Sequence, residues 1–408
     1  MSAPRTTPWP LVALFAAGYL APYLLPTTVG RLDSGLPLST TAAGAIGSAL
    51  LLSSAAAGLL LVSRADRIGA RALARAGLVL CAVGYGGAAL TTAVPAVVVG
   101  ALVGGFGSGT VTAVAARGMA ARPDAHRLST LGLLTVSALA GAVYLTVPHL
   151  GAGHGQPLAA LALTALAVWP FTGRLPLGTA AARSRRDRAP LPSPRSGLLL
   201  SAAVLGWSLV QNALWGVSGR IGLDQAHLSE ATVGVVFAVA LGAGLAGTLG
   251  AGALGGRLGT AAPIGGGTVL IAVCVALSAA AGDLRTFAAG EIAWNVLYPI
   301  VLSYVLGLGA ALDPRGRWAV YVGSASALGT AAGPLTGSVL SAWAGFPTMG
   351  TVLAGGLLLI AAPLTAVALR AGRRTQPVVE ILVETVATPA QSAYGTAAEN
   401  SYASTSAR

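Results

Sequence analysis

The chain has 408 residues, 55% hydrophobic and 9% charged, with a formal net charge of +12 and a mean hydropathy of +0.77. A compact water-soluble domain of this length cannot hide so much apolar surface, so the solvent around most of it is lipid. The charge does not imply nucleic acid: all 24 basic residues are arginine, scattered between apolar segments instead of gathered with aromatics on one face.

An apolar run of about 20 residues crosses the hydrocarbon as a helix. Twelve such spans are predicted, at 9–30, 41–62, 72–92, 95–116, 128–148, 157–173, 197–219, 231–254, 261–282, 286–309, 318–341 and 348–370. The first follows a weak positive region with the single Arg5 and reads as an uncleaved anchor; Pro22 and Pro26 are placed to kink it. The Arg- and Pro-rich stretch 174–196 cannot bury apolar area and reads as a linker. The expected organisation is therefore a six-helix bundle over 1–173, the linker, a second six-helix bundle over 197–370, and a Ser/Thr/Ala-rich tail over 371–408, expected to be disordered apart from the apolar patch Val378–Val383.

An even number of spans puts both termini on one side, and arginine chooses the side. With the termini in the cytoplasm, Arg31, Arg220 and Arg285 are outside and the other 21 of the 24 arginines are inside, as the positive-inside rule requires. The expected location is the cell's inner (plasma) membrane, as a monomer in the bilayer.

Between the second and third spans lies a charged island, Ser63-Arg64-Ala65-Asp66-Arg67-Ile68-Gly69-Ala70-Arg71. It has an echo in Gly252-Ala-Leu-Gly-Gly256-Arg257-Leu258-Gly259, where Arg257 and Gly259 follow Arg67 and Gly69 by 190 positions. An offset near half the chain makes the two bundles repeats of one unit. The island resembles the Gly-x-Leu-Ala-Asp-Arg-x-Gly-Arg-Arg loop of the major facilitator superfamily of secondary transporters. Ala65, Asp66, Arg67, Gly69 and Arg71 match that loop, whereas Val62, Arg64 and Ala70 depart from it; the later copy has Gly256 in place of the aspartate. The resemblance covers roughly residues 9 to 370. It implies two pseudo-symmetric bundles, alternating access, and a gate in which Asp66, Arg67, Gly69, Arg71, Arg257 and Gly259 take part, one-sided because Gly256 carries no charge.

Other motifs resolve to packing. Gly242-Ala-Gly244-Leu-Ala-Gly247 meets a dinucleotide fingerprint letter by letter, but inside an apolar span, where glycines serve close helix approach; Gly104 to Gly109 reads likewise. Cys81 and Cys274 read as small buried residues. His149, His154 and His227 lack convergent partners for a metal, and no phosphate-binding loop accompanies them. No cofactor or metal and no enzyme chemistry is expected, and a gradient must drive transport.

Polar residues within spans are costly and so have a purpose. In the tenth span Glu291, Trp294, Asn295 and Tyr298 fall at i, i+3, i+4 and i+7 on one helical face. Glu291 is the one acid placed inside a span, and a carboxyl there can load or release a proton as its surroundings alternate between wet and dry; a structural carboxylate is the alternative. The seventh span presents Trp207, Gln211 and Trp215, with Ser208 and Asn212 adjacent, and the first presents Tyr19, Tyr23 and Thr27. In the superfamily, spans one, four, seven and ten line the central cavity, so these residues are expected to bind substrate. Gly329-x-x-x-Gly333-Pro334-x-x-Gly337 in span eleven is similar to the Gly-Pro antiporter motif, which drug exporters carry in span five. The reading is proton-coupled export of a small hydrophobic or aromatic molecule; uptake of an organic solute and a non-transporting sensor or scaffold are the alternatives.

Overall fold

In hydrocarbon a backbone N–H or C=O has no water to bond, so a long apolar run satisfies itself as a helix. The computed structural model describes residues 9–62, 68–175, 190–254, 258–313 and 315–372. In chain order its helices are α1 (Trp9–Tyr23), α2 (Leu25–Gly35), α3 (Thr40–Val62), α4 (Ala70–Leu90), α5 (Val94–Ala120), α6 (Ala125–Thr146), α7 (Gly155–Val168), α8 (Pro194–Arg220), α9 (Glu230–Leu254), α10 (Ala261–Ala279), α11 (Leu284–Ala311) and α12 (Arg317–Gly372).

Ten stretches are each long and apolar enough to cross a membrane, and α1 with α2, bent by 51°, forms an eleventh crossing. The helix α12 supplies two, because Gly345 at φ 74 and ψ 166 breaks its path. The described residues therefore make twelve spans, and the chain is an all-α, multi-pass membrane protein.

The expected first span is broken. Pro22 lies in the last turn of α1 and Pro26 at the start of α2. Pro26 has no N–H to offer the carbonyl four residues back, so Pro22 O is left free of the helix. Other spans outrun their hydropathy: α8 begins at Pro194 and continues through a π-helical turn, Ile221–Gln225. Apolarity marks the lipid-covered length, whereas a helix can continue into the interface.

The first bundle comprises α1 to α7, with α5 packed on α1, α3 and α4; the second comprises α8 to α12, with α12 packed on α8 and α10. Glycine permits the closest approaches. A Cβ on Gly105 would stand 2.3 Å from Leu50 O and one on Gly109 2.0 Å from Ser54 O. On α12, a Cβ at Gly329 would stand 2.2 Å from Leu205 O and one at Gly337 2.0 Å from Ala213 O. The Gly-Pro run is thus occupied in seating α12 on α8. Gly247, from the fingerprint-like run, is likewise pressed on Val296 O, at 2.2 Å for its hypothetical Cβ. Cys81 and Cys274 are free and buried. The bundles meet along α3 with α12, α6 with α9, and α2 with α8.

Candidate functional site

The site is assembled from α1, α8 and α11, which bring their aromatic stripes together at the bundle interface. Tyr19 and Tyr23 of α1 lie 5.9 Å apart by ring centroid. Opposite them, Trp215 of α8 and Trp294 of α11 lie 5.5 Å apart, and Trp294 lies 5.6 Å from Tyr298. Together with Asn212 and Asn295 they line a cavity of about 370 Å³. It runs away from Trp215 along the bundles as far as Leu59, Thr248, Leu306 and Val320, toward the end that carries the turn at Gly69, here termed the motif end.

The other expected binding residues stand one layer back. Trp207 stacks on Tyr298 at 5.2 Å and 15°, and Gln211 Oε1 accepts the Trp294 Nε1 hydrogen bond at 2.6 Å. Both are fully buried and set the pose of a ring that faces the cavity. Asn212 Nδ2 donates to Ser208 O and to Thr330 Oγ1, and Asn295 Nδ2 donates to Glu291 O.

Glu291 is 0% exposed and is not among the residues around the cavity. Its Oε1 accepts from Ser218 Oγ of α8 at 2.8 Å, while its Oε2 has no hydrogen-bond partner among the described residues. It sits one helical turn from Trp294, and its partner Ser218 lies one turn beyond Trp215, whose ring begins a row with Phe237 and Phe287 at centroid spacings of 5.2 Å and 6.1 Å.

Past this layer lies a second cavity, of about 310 Å³, whose lining includes Arg31, Asp33, Arg220, Asp224 and Glu230. Two ion pairs cross between bundles here. Arg31, held in its own bundle by Gly151 O at 2.6 Å, reaches Glu230 Oε2 at 2.7 Å. Arg220, held in its own bundle by Ser338 Oγ at 2.9 Å, reaches Asp33 Oδ2 at 3.4 Å. Both arginines were expected in outside loops; they are instead 4% and 5% exposed, because α2 and the extension of α8 carry them into the interface. Closer to the midplane, Trp215 Nε1 donates to Pro22 O, the carbonyl freed by Pro26, at 3.0 Å. Tyr144 OH donates to Tyr23 O at 2.5 Å. The two ion pairs form a reciprocal latch: each bundle offers one arginine and one carboxylate. Sequence reading passed over it, although Arg31 and Arg220 are 189 positions apart in a set of outside arginines that otherwise holds only Arg285.

Of the expected gate, Asp66, Arg67 and Arg257 lie outside the described residues. Gly69 and Gly259 adopt φ of 89° and 63°, a backbone region that glycine enters without a Cβ clash. Arg71 Nη2 donates to Gly173 O at 2.8 Å and Leu175 O at 2.7 Å, where the sixth span ends. Among the described residues, no group of three His, Cys, Asp or Glu is placed to hold a metal. His154 instead bonds Thr91 O at 2.9 Å through Nε2.

No protein-family model and no curated protein matches the sequence. Solved structures do match in three dimensions. The human organic anion transporter MFSD10 is similar at a TM-score of 0.65 and 19% identity, over 89% of this chain and 100% of that one. The nucleoside transporter NupG is similar at a TM-score of 0.69 and 16% identity, over 88% and 99%, and a D-xylose-proton symporter at 0.71 and 15%, over 88% and 96%. The fold is that of the major facilitator superfamily. At such identities the likeness is one of fold, so what this facilitator fold does is argued from its own residues.

Proposed function

We propose that the chain is a secondary transporter that works by alternating access, exchanging protons for a small ring-bearing solute and moving that solute outward. The observation that carries this reading is the pairing of an aromatic cavity on the bundle interface with a two-way ion-pair latch across one end of that interface. A cavity that extends toward one end and is closed by breakable contacts at the other is the arrangement a rocking carrier needs. With the arginine-rich motif end in the cytoplasm, the conformation is inward-facing.

Glu291 supplies the coupling. Its Ser218 partner lies two residues before Arg220, so the carboxylate ties α11 to the stretch of α8 that carries half of the latch. Loading a proton on Glu291 changes that tie from outside the cavity lining. One proton moving down 100 mV supplies roughly 2.3 kcal/mol, enough to hold roughly a 40-fold solute gradient. Uptake by symport is a second reading, favoured by the likeness to a D-xylose-proton symporter.

The test is solute flux in proteoliposomes with an imposed proton gradient. Gradient-driven accumulation is expected to disappear with a protonophore and with Glu291→Gln, while exchange of labelled for unlabelled solute continues in the variant. Accumulation that survives both treatments rules out proton coupling through Glu291, and the sign of the gradient that drives it distinguishes export from uptake.

A further inference from the structure

The substrate cavity has no countercharge. Among the described residues around it none is Asp, Glu, Arg or His. Three titratable groups beyond its Trp215 end are committed elsewhere: Glu291 lies one turn from Trp294 with Ser218 on its Oε1, and Arg31 and Arg220 are bound in the latch.

A carboxylate, phosphate or ammonium entering such a chamber gives up its hydration and meets no opposite charge, the situation in which burial of an ion is most costly. Ring faces attract cations, but here no carboxylate shares the load. A neutral solute escapes that cost, and the cavity can match its polar groups one by one. The hydroxyls of Tyr19 and Ser324 line it and make no hydrogen bond among the described residues. Thr330 Oγ1 and Ser326 Oγ, on the same helix as Ser324, are already bonded to Asn212 and Ser208. The cavity therefore has an aromatic wall on α8 and α11, and hydroxyls that face it from α12 and from Tyr19 of α1.

Resting on the transporter reading above, we propose that the solute is an uncharged, ring-bearing molecule with hydrogen-bonding groups at one edge. Its ring lies on Trp215, Trp294 and Tyr298, its polar edge turns to the α12 hydroxyls, and ions of either sign are rejected at this cavity.

The test is calorimetric titration of the full chain in nanodiscs, with empty nanodiscs as reference, using three probes that share one ring: phenyl β-glucoside, phenyl phosphate and phenyltrimethylammonium. The glucoside is expected to bind at least about tenfold more tightly than either ion, one decade being about 1.4 kcal/mol. Ser324→Asp, which puts a carboxylate in the cavity, is expected to make phenyltrimethylammonium the preferred probe. Wild-type binding of either ion as tight as that of the glucoside, binding of no probe, or an unaltered order in Ser324→Asp overturns the proposal. Flux separates it from the reading beneath it. Glucoside that binds but never crosses proteoliposomes contradicts transport and leaves the cavity's selectivity standing; flux of an ion in place of the glucoside does the reverse.

Discussion

Trp294 links the cavity, α8 and the buried acid. Its ring faces the cavity, its Nε1 is fixed by Gln211, and Glu291 lies one turn behind it. Trp294→Phe keeps an aromatic face and loses that hydrogen bond, a change of about 1 kcal/mol, so binding of a cavity ligand is expected to weaken by about fivefold. Titration of the variant beside Trp294→Ala checks this, the alanine being the weaker binder. Spacing on α11 placed Glu291, Trp294, Asn295 and Tyr298 on one face. It could not say that Glu291 lies past the cavity floor, because a helical period reports angle and the difference is one of depth. The same holds on α8, where Trp207 and Gln211 support rings that Trp215 and Asn212 accompany into the cavity. A periodic stripe marks which residues avoid lipid; which of them meet solute depends on what the neighbouring helix puts in front of them.

At the scale of the helix, two features put the rocking reading to the test. The first is the seating of α12 on α8 through Gly329 and Gly337. Gly337→Val would drive a side chain into Ala213 O, where even a Cβ stands at 2.0 Å. A loss of about 1 to 3 kcal/mol of stability is expected from such overpacking, read as a lower thermal midpoint of the purified variant against wild type. The second is the loop after α3. Asp66→Asn is expected to impair transport while leaving the protein in the membrane, and flux normalised to surface protein measures it; flux at the wild-type level would remove the loop from the gate. Hydropathy made the number of crossings legible, since lipid exposure is written along the chain. It left out the break at Leu24 as a functional feature: Pro22 and Pro26 announce a kink, but only the packed bundle shows that the freed Pro22 carbonyl receives Trp215. The two last spans, expected at 318–341 and 348–370, are separated at Gly345, whose φ of 74 and ψ of 166 break the helix between them.

For the whole molecule, the sequence repeat at 190 positions becomes a mechanical symmetry. Arg31 and Arg220 occupy nearly equivalent places in the two bundles, and each is anchored in its own bundle and paired to a carboxylate in the other. Glu230 is 41% exposed along its side chain, so its pair contributes about 1 kcal/mol or less. Asp33, at 19%, is the carboxylate paired with a deeply buried Arg220, and removing it leaves that guanidinium only the neighbouring Asp224 as countercharge, so its loss is worth more, about 3 kcal/mol. Removing both carboxylates as Asp33→Asn with Glu230→Gln should therefore release the latch and populate the opposite conformation without any ligand. Electron-electron distance measurements on spin labels report this most directly, with one pair at Ser34 and Ser229 across the latch end and another at Ile68 and Leu258 across the motif end. In the double variant a longer Ser34 to Ser229 distance and a shorter Ile68 to Leu258 distance are expected to appear together. Distances that stay at their wild-type values, or that lengthen at both ends at once, would contradict two bundles rocking about a central cavity.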